Sequence, residues 1–504
     1  GFALYSFFRL SAAEGQKDFN LYELVPSTTS AVFVTDDVLE FVAEVDELTC
    51  SKNQQYLYVS KLFSYLKQSL YALSEDTPHG LSRQMNQMLI SFHEPDNERN
   101  QVLYCRLGNG DKELVNRFVR KYISSLYPPK TFIYKGEEII IYPMADGDFL
   151  ACYLTSDFMA LSFQKKLIEN VIDAYKSGKS LADDSTFTGI RAPKKSAAAA
   201  TIYTRMQGMM GWTEFDMKMK DDFIYFSGIT HDADTCFAFI NQLRQQQSVK
   251  GFPGEVLPST AFYFSRQGIT DWVSLLSYGN AQGQSVPART SEVQNRDKEF
   301  SRYLMENAGQ DLVACLFQRE DTLQGAAAVL SLSVADVTEA ERMLRALVNA
   351  ASADEGRRNP RITFCYTVNK AYLIYRLPQT TLFEQLTSFA EPTLDVYAAF
   401  YGGRLLLAPD ADALAHYIRQ LDKGEVLNGA MAYQTGMDHL SDSYHFMLMA
   451  DFDHIFQQSE NHVRFVPDFF LRNADFFRHF TLFVQFACAD GVVYPNIVLK
   501  YKSE

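Results

Sequence analysis

The sequence predicts an α+β protein made of two tandem, diverged copies of one unit, a mostly antiparallel sheet with flanking helices. Three observations predict it. The chain has 504 residues, more than one hydrophobic core usually spans. Stretches of sequence typical of strands and helices recur in the same order about 240 residues apart, and this period is the size of a domain. Short polar turns separate many apolar runs, as in antiparallel sheets. We expect one repeat unit at residues 21–250 and the other at 251–504.

The first repeated block is a turn, a short strand and a helix. Residues 24–28 (LVPST) precede an apolar strand and a helix with apolar residues at helical spacing up to Val45. Residues 256–260 (VLPST) stand in the same relation to the text that follows them, and Pro26 and Pro258 give an offset of 232. Each block predicts a turn that leads into a strand.

The second repeated block is a hairpin. Residues 88–107 align without a gap to residues 313–332, which pairs Phe92 with Phe317 at an offset of 225. Each stretch has the pattern of a strand, a polar turn and a second strand, which predicts an antiparallel hairpin. A stretch with apolar residues at helical spacing follows each hairpin.

The third repeated block is a strand, a helix and a glycine. A strand at 158–163 and a helix ending at Gly178 match a strand from Arg404 and a helix ending at Gly424, at an offset of 246. Glycine is favoured just after a helix because it adopts the left-handed conformation easily. Both copies then return to strands, near Ala197 and Tyr444. The drifting offsets indicate insertions and deletions in loops.

Two stretches predict breaks in regular structure. Residues 245–254 contain a glutamine run with Gly and Pro and form the predicted joint between the copies. Residues 279–298 are polar and aperiodic, and we expect a mobile loop there.

Charge and cysteine content narrow the function. The net charge of -14 opposes binding to phosphate backbones, so nucleic acid is not an expected partner. Seven cysteines show no C-x-x-C spacing, which argues against a disulfide framework. Five of them lie in apolar strand text and are expected to be buried: Cys105, Cys152, Cys315, Cys365 and Cys488.

The N-terminal segment, residues 1–20, begins with an apolar run that ends at Arg9 and then turns polar. We expect the end of a membrane anchor whose remainder has been removed, and the alternative is an amphipathic terminal helix. No other apolar run approaches the ~18 residues that a membrane span requires.

The densest group of candidate metal ligands is Asp451, Asp453 and His454, with His439 upstream. Carboxylate oxygens suit hard cations and imidazole suits zinc, so these four residues are the candidate metal site. The competing interpretation is that Asp451 or Asp453 caps the helix that follows a strand. His445 is expected to be a packed, hydrogen-bonded strand residue.

Other chemical patterns are weaker. S-x-x-K occurs at 64–67 and 162–165, without the S-x-N and K-T-G elements that penicillin-recognising enzymes need downstream. No nucleophile elbow G-x-S-x-G is present. The phenylalanines of residues 469–486 predict core packing, with an apolar ligand groove as the alternative.

The layout resembles a family of uncharacterised bacterial envelope proteins, with an N-terminal anchor followed by tandem β-rich repeats of unknown function. Residues 24–28 and 256–260 carry the resemblance. It implies a place in the cell envelope, on the periplasmic or extracytoplasmic side, with membrane contact through the N-terminal anchor only. It transfers no active residues.

We expect a non-catalytic, envelope-anchored binding or scaffold protein, whose two lobes frame a cleft or present a surface to an unknown protein or envelope component. No cofactor is implied. Two alternatives stay open: a metal-dependent or hydrolytic enzyme with its site near Asp451, Asp453 and His454, and a carrier of an apolar ligand.

Overall fold

The computed structural model describes the following residues: 18–57, 60–76, 84–123, 127–190, 198–205, 211–230, 238–276, 290–319, 325–353, 361–387, 395–458 and 466–503. The predicted anchor within residues 1–17 lies outside them. Internal contacts divide the chain into two compact units, Gly1–Asp221 and Asp222–Glu504. The division falls earlier than the predicted joint at 245–254, because strand Phe223–Thr230 pairs with the last strand of the chain.

The helices of the first unit begin with a 3₁₀ turn at Leu21–Glu23. The α-helices are α1 Val38–Glu47, α2 Thr49–Lys52, α3 Lys61–Asp76, α4 Asp111–Phe118, α5 Lys165–Ser177 and α6 Ser185–Ile190. A π-helical turn, Val119–Ile123, continues α4. Asp37 caps α1 with its side chain, and Val38, Phe41 and Val42 bury one face of that helix.

The strands of the first unit form one antiparallel sheet. They are β1 Ala31–Thr35, β2 Met88–Phe92, β3 Gln101–Arg106, β4 Lys130–Tyr134, β5 Glu137–Pro143, β6 Phe149–Leu154, β7 Phe158–Ser162, β8 Ala200–Thr204 and β9 Thr213–Lys220. Their order in the sheet is β4-β5-β6-β7-β3-β2-β1-β8-β9.

Helices cover both faces of this sheet. On one face α5 buries Ile168, Val171 and Ile172 against Val32 and the strand residues beside it. On the other face α1, α3 and α4 contribute a second cluster, with Val38, Leu62 and Val115 among its buried members. Because both faces are buried, the central strands are apolar on both sides.

The second unit has helices throughout its length. They are α7 Ala238–Arg244, one helical turn at 272–276, α8 Ser291–Asn307, α9 Val337–Ala353, α10 Leu382–Leu386, α11 Ala411–Asp422, a 3₁₀ turn Leu427–Gly429, α12 Met431–Met437, α13 Phe452–Phe456, α14 Asp468–Arg472 and α15 Ala474–Phe477.

Its strands form a larger antiparallel sheet and a small ladder. They are β10 Phe223–Thr230, β11 Val249–Lys250, β12 Ala261–Gly268, β13 Ala308–Gln318, β14 Ala326–Val334, β15 Ile362–Tyr366, β16 Ala371–Pro378, β17 Asp395–Tyr401, β18 Arg404–Ala408, β19 Ser443–Tyr444, β20 Phe446–Asp451, β21 Phe480–Ala489 and β22 Val492–Tyr501. The large sheet has the order β15-β16-β17-β18-β14-β13-β12-β20-β21-β22-β10. The ladder pairs β11 with β19.

The two strand orders follow one scheme. In the first unit, seven neighbouring strands have the order β4-β5-β6-β7-β3-β2-β1. In the second unit, the order β15-β16-β17-β18-β14-β13-β12 is the same when β12 is counted as the first strand. After the short β19 is set aside, β20 and β21 occupy the places of β8 and β9. The second unit extends this order with β22 and β10.

The two prolines of the repeated turns make matching contacts. Pro26 bridges to Ser180 and Pro258 to Val426, just beyond the glycines that follow α5 and α11. Four hydrogen bonds flank these bridges: Ser27 N to Lys179 O (3.0 Å), Ser259 N to Glu425 O (2.8 Å), Leu181 N to Val25 O (2.8 Å) and Leu427 N to Leu257 O (2.9 Å). The contacts recur at the offsets of 232 and 246 found in the sequence.

Both predicted hairpins are present, as β2–β3 and β13–β14. Their predicted alignment is shifted by one residue, however. Phe92 packs with the cluster of α1, α3 and α4, whereas Phe317 packs on the opposite face, with α11. Since neighbouring strand residues point to opposite faces, the gapless alignment exchanges the two faces of the hairpin.

The predicted loop at 279–298 is wrong for its second half. Residues 291–298 begin α8, whose N-cap Thr290 accepts a hydrogen bond from Val293 N. Val293, Phe300 and Leu304 bury one face of this helix. The apolar residues come too late in the segment to give it a helical period. The part before residue 290 lies outside the described residues.

Two arginines and one aspartate form a buried ion cluster on the second sheet. Arg266 Nε lies 3.0 Å from one oxygen of Asp311, and an Arg404 nitrogen lies 3.2 Å from the other. Asp311 is 7% exposed. Burial alone would raise the pKa of Asp311, but the two guanidinium groups and a bond from Ser333 hold it below its ordinary value.

Within the described residues, no helix is both long enough and apolar enough to cross a membrane.

Candidate functional site

Asp451 ends β20 and begins α13, where the sequence places the candidate metal ligands. Its carboxylate accepts a hydrogen bond from the backbone N–H of Asp453 at 3.1 Å. This is the contact that an N-cap residue makes with an open helix end. The capping interpretation of Asp451 is confirmed.

The other contacts of Asp451 are with basic side chains. Lys502 Nζ lies 2.6 Å from one carboxylate oxygen, and His454 Nδ1 lies 3.1 Å from the other. Burial would raise the pKa of Asp451, but these hydrogen bonds hold it below its ordinary value. The bond to Asp451 raises the pKa of His454. One oxygen therefore serves the helix cap and the ion pair with Lys502, and the other contacts His454.

Asp453 and His439 make other contacts. An oxygen of Asp453 pairs with Arg478 at 3.2 Å. His439 Nδ1 lies 3.1 Å from the Tyr225 hydroxyl, and its ring packs 4.1 Å from that of Phe223. In the part of the chain that the structure describes, no group of three or more His, Cys, Asp or Glu side chains is arranged to hold a metal ion.

The second S-x-x-K pattern serves structure. Ser162 is fully buried and donates a hydrogen bond to Gln101 O at 2.7 Å, which ties β7 to the neighbouring β3. Lys165 pairs with Glu169 on the surface of α5 at 2.8 Å. The contacts of this serine and this lysine do not point to nucleophilic chemistry.

The phenylalanines near the C-terminus pack on one another. Phe470 lies 4.8 Å from Phe477 and 5.0 Å from Phe452 between ring centroids, and Phe480 is fully buried. These are the distances of aromatic core packing. The core interpretation is confirmed for Phe476, Phe477 and Phe480, which are buried, whereas α14, with Phe469 and Phe470, has no buried residue.

A serine and a histidine meet in the core of the first unit. Ser91 Oγ lies 2.7 Å from His93 Nε2 and 3.0 Å from the Tyr104 hydroxyl. A serine beside a histidine is half of a nucleophilic triad, but Ser91 is 0% exposed and His93 is 7% exposed. Burial lowers the pKa of His93 to about 4. A substrate cannot reach this hydroxyl, and the group is a packed polar network.

A cleft in the second unit has the size of a small-molecule site. Its volume is about 580 Å³, within the range of such sites. Three segments line it: α7 with the residue after it, the residue before β20, and the end of β21 with the turn that follows it. The lining residues are Asn241, Arg244, Gln245, His445, Cys488, Ala489, Asp490 and Gly491.

His445 is held firmly at the edge of this cleft. Its backbone N–H donates to Phe486 O at 2.8 Å, and its carbonyl accepts from Gly268 N at 3.1 Å. Its side-chain Nδ1 accepts the backbone N–H of Cys488 at 3.2 Å, so the neutral ring carries its proton on Nε2. Burial lowers the pKa of His445, which favours the neutral form. The prediction of a hydrogen-bonded residue is confirmed, but His445 lies in a bend between β19 and β20 and not within a strand.

The electrostatics of the cleft do not activate its thiol. Burial raises the pKa of Cys488 to about 11, although nearby Arg244 lowers it in part. Because the thiolate is the nucleophile, Cys488 is inactive near neutral pH. Arg244 supplies a positive charge, Asp490 a negative one, and Asn241 and Gln245 supply amides. These groups suit binding through hydrogen bonds and charge.

The sequence interpretation missed this cleft. Cys488 is only half buried, whereas its apolar context predicted full burial; Cys105, Cys152, Cys315 and Cys365 are buried as expected. Asp490 and Gly491, between two apolar strands, are a strong hairpin signal that could have placed the turn. Arg244 lies beside the predicted joint, where the sequence predicted a break in regular structure and no binding residue.

Comparison of the chain with family models, curated proteins and solved structures gave no match.

Proposed function

We propose that this chain is a non-catalytic binding protein of the bacterial cell envelope, and that the cleft between α7 and the β21–β22 turn holds a small polar ligand. The observation that carries the proposal is the state of the cleft's reactive groups. His445 is neutral with its Nδ1 occupied, and the Cys488 thiol stays protonated near neutral pH. A site with these groups supports recognition better than proton or acyl transfer.

The lining suggests what the ligand carries. Arg244 has several N–H donors in a fixed planar fork, which matches a carboxylate or another flat anionic group. Asp490 accepts hydrogen bonds, so a ligand with an amine or hydroxyl group near its anionic end would be bound at both ends. Amino acids and hydroxy acids have this chemistry. The cleft volume of about 580 Å³ accommodates molecules of that size.

Calorimetric titration and thermal shift with a panel of amino acids, hydroxy acids and sugar acids test the proposal. Arg244→Gln should weaken binding of the best ligand at least about tenfold, because a charge-assisted hydrogen bond is lost. Arg478→Gln is the matched control, since it removes the same charge from a residue outside the cleft and should leave affinity unchanged. Absence of binding across the panel, or equal effects of both variants, would refute the proposal.

We also infer that the two units are diverged copies of one ancestral unit. The shared strand order and the matching contacts of Pro26 and Pro258 support this inference. Val32 lies opposite Ser91, and Phe264, at the offset of 232, lies opposite Cys315. The second strands then correspond at an offset of 224, from Ser91 to Cys315. Gly178→Ala and Gly424→Ala test one matched position, and both are expected to destabilise the chain because both glycines have positive φ.

The envelope location rests on the sequence resemblance carried by residues 24–28 and 256–260. Fractionation of the full-length protein from its own cells tests it. Recovery with the membrane fraction, together with digestion by protease added outside the inner membrane, is expected, and recovery only in the cytosol would refute it. Crosslinking in the same cells would identify an envelope component bound by the chain.

A further inference from the structure

The backbone of His445 is fixed on both sides. Its N–H donates to Phe486 O at 2.8 Å, and its carbonyl accepts from Gly268 N at 3.1 Å. Gly268 lies so close to the segment before β11 that a Cβ on it would meet Gln247 O at 2.1 Å. Because a larger residue would have to shift, the glycine keeps the partner of the His445 carbonyl in place. The imidazole therefore extends from a backbone position that is well defined.

The ring of His445 has one tautomer. Its Nδ1 lies 3.2 Å from the backbone nitrogen of Cys488. A backbone N–H only donates, so Nδ1 is the acceptor and the proton of the neutral ring lies on Nε2. Burial lowers the pKa of His445, so the ring is neutral near pH 7. The backbone partner therefore makes Nε2 a permanent hydrogen-bond donor.

This Nε2–H is open to the cleft. Nε2 has no hydrogen-bond partner among the described residues, and it is not one of their buried side-chain atoms that lack a partner. The atom therefore reaches solvent, and the ring lines the cleft that Arg244 and Asp490 also line. A donor in this place exchanges a hydrogen bond with water for one with a ligand atom that accepts.

Arg244 approaches the same end of β21. Its guanidinium lies against the turn that follows this strand, since a Cβ on Gly491 would lie 3.3 Å from Nη2. Its Nη1 lies 3.4 Å from Asn241 Oδ1 on the same helix. Cys488 is a common neighbour, because its N–H bonds the ring of His445 and Arg244 offsets part of the rise in its pKa. The two donors therefore serve one part of the cleft.

We propose that the Nε2–H of His445 is a specificity-determining donor, which joins Arg244 in binding a carboxylate and makes the cleft discriminate against the matching carboxamide. The inference rests on the binding function proposed above. An ionised carboxylate only accepts hydrogen bonds, and its two oxygens offer enough lone pairs for the planar fork of Arg244 and one further N–H. A carboxamide has one accepting oxygen, and its NH₂ group would face a donor of the protein and lose its hydrogen bonds to water.

The ligand class is an amino acid or hydroxy acid with a free carboxylate. Asp490 lines the same cleft and precedes the glycine on which Arg244 lies, so an amine or hydroxyl beside the carboxylate has an acceptor. The net charge of -14 acts against this preference, because it attracts the cationic amide of an amino acid more than the zwitterionic acid. A preference for the acid therefore has to come from the donors in the cleft.

Calorimetric titration of the full chain in about 0.15 M salt, with matched pairs of small molecules, tests the proposal. Each common L-amino acid is paired with its carboxamide, and L-lactate is paired with L-lactamide. At least one acid should bind. Its amide should bind at least about tenfold more weakly, because a charge-assisted hydrogen bond is lost and a donor is left without a partner.

Two substitutions separate the two ring nitrogens of His445. His445→Asn keeps an acceptor near Nδ1 for the Cys488 N–H but removes the donor that reaches the cleft, and it should weaken binding of the acid at least about threefold. His445→Gln places an amide N–H near Nε2 and should stay within about twofold of the parent chain. His439→Asn is the matched control. This exposed histidine contacts Tyr225 outside the cleft, so its variant should keep the parent's affinity.

Nitrogen NMR of the His445 ring gives a readout that does not depend on affinity. The free chain should carry the ring proton on Nε2, and the Nε2–H resonance should move downfield when the acid binds, as expected for a new hydrogen bond. Circular dichroism shows whether each variant is folded. If His445→Asn unfolds, the NMR titration of the parent chain decides the question.

The results distinguish this inference from the proposed function. A ring proton on Nδ1, equal binding of acid and amide, or the parent's affinity in His445→Asn would overturn the role of His445, even when Arg244→Gln abolishes binding and the proposed function stands. An acid that binds without moving the Nε2–H resonance would overturn it as well. Absence of binding by every acid would overturn the proposed function and this inference together.

Discussion

Acidification should destabilise the first unit through His93. The imidazole of His93 is buried beside Ser91, and burial lowers its pKa from 6.5 to about 4. In the unfolded chain the ring takes up a proton near its ordinary pKa. Below pH 6.5 the unfolded state therefore binds more protons than the folded state, and stability falls as the pH falls.

The size of this effect follows from the two pKa values. The contribution of His93 is complete above pH 6.5, declines through the window down to about pH 4, and changes little below it. A difference of about 2.5 units at ~1.4 kcal/mol per unit gives a loss of about 3 kcal/mol in the free energy of unfolding. That is a large part of the stability of an ordinary domain.

Urea unfolding monitored by Trp212 fluorescence measures the loss in the first unit. Trp212 is fully buried in that unit, and Trp272→Phe removes the other tryptophan. His93→Gln keeps a hydrogen-bonding side chain that does not titrate. Between pH 7 and pH 4, the parent chain should lose about 3 kcal/mol relative to this variant. An unchanged difference, or an NMR titration of the His93 ring near pH 6.5, would refute the reasoning.

Two further predictions concern the second unit and the comparison of the units. Gly178→Ala and Gly424→Ala should each cost about 1–2 kcal/mol, because both glycines have positive φ, 64° and 75°; denaturant unfolding measures each cost, and a variant as stable as the parent chain would contradict the prediction. Asp311→Asn should cost about 3–5 kcal/mol, because Arg266 and Arg404 would share a buried site without a counter-charge. Trp272 fluorescence measures that loss, and a cost below about 1 kcal/mol would contradict it.

Local signals predicted much of the fold. The helix before Gly178 combines apolar residues at helical spacing with a glycine where the left-handed conformation occurs, and α5 forms as expected. The same combination predicted α11 before Gly424. The polar turns between apolar runs predicted the hairpins. These signals are specific because each depends on residues close in sequence.

The sequence alignment of the two hairpins was wrong by one residue because the apolar pattern does not show which side chains lie on which face of the sheet. In β2 and in β3, every residue except the last is buried, because helices cover both faces of the first sheet. A strand buried on both faces loses the alternation of apolar and polar residues that fixes register. Alignments one residue apart then look equally good in sequence, although only one places Ser91 opposite Val32 as Cys315 lies opposite Phe264.

The candidate site could not be predicted for a different reason. Arg244, His445 and Asp490 lie about 200 and 45 residues apart in sequence and meet only because β20 and β21 are neighbours and α7 packs near their ends. Residues that are dense in sequence, such as Asp451 and His454, instead satisfy local needs of a helix end. Residues that cluster in the sequence therefore make local contacts at a helix end. The proposed binding residues come from separate segments that meet only in the folded chain. A substitution at Arg244 should therefore weaken ligand binding and leave folding intact, whereas a substitution at Asp451 should mainly affect folding.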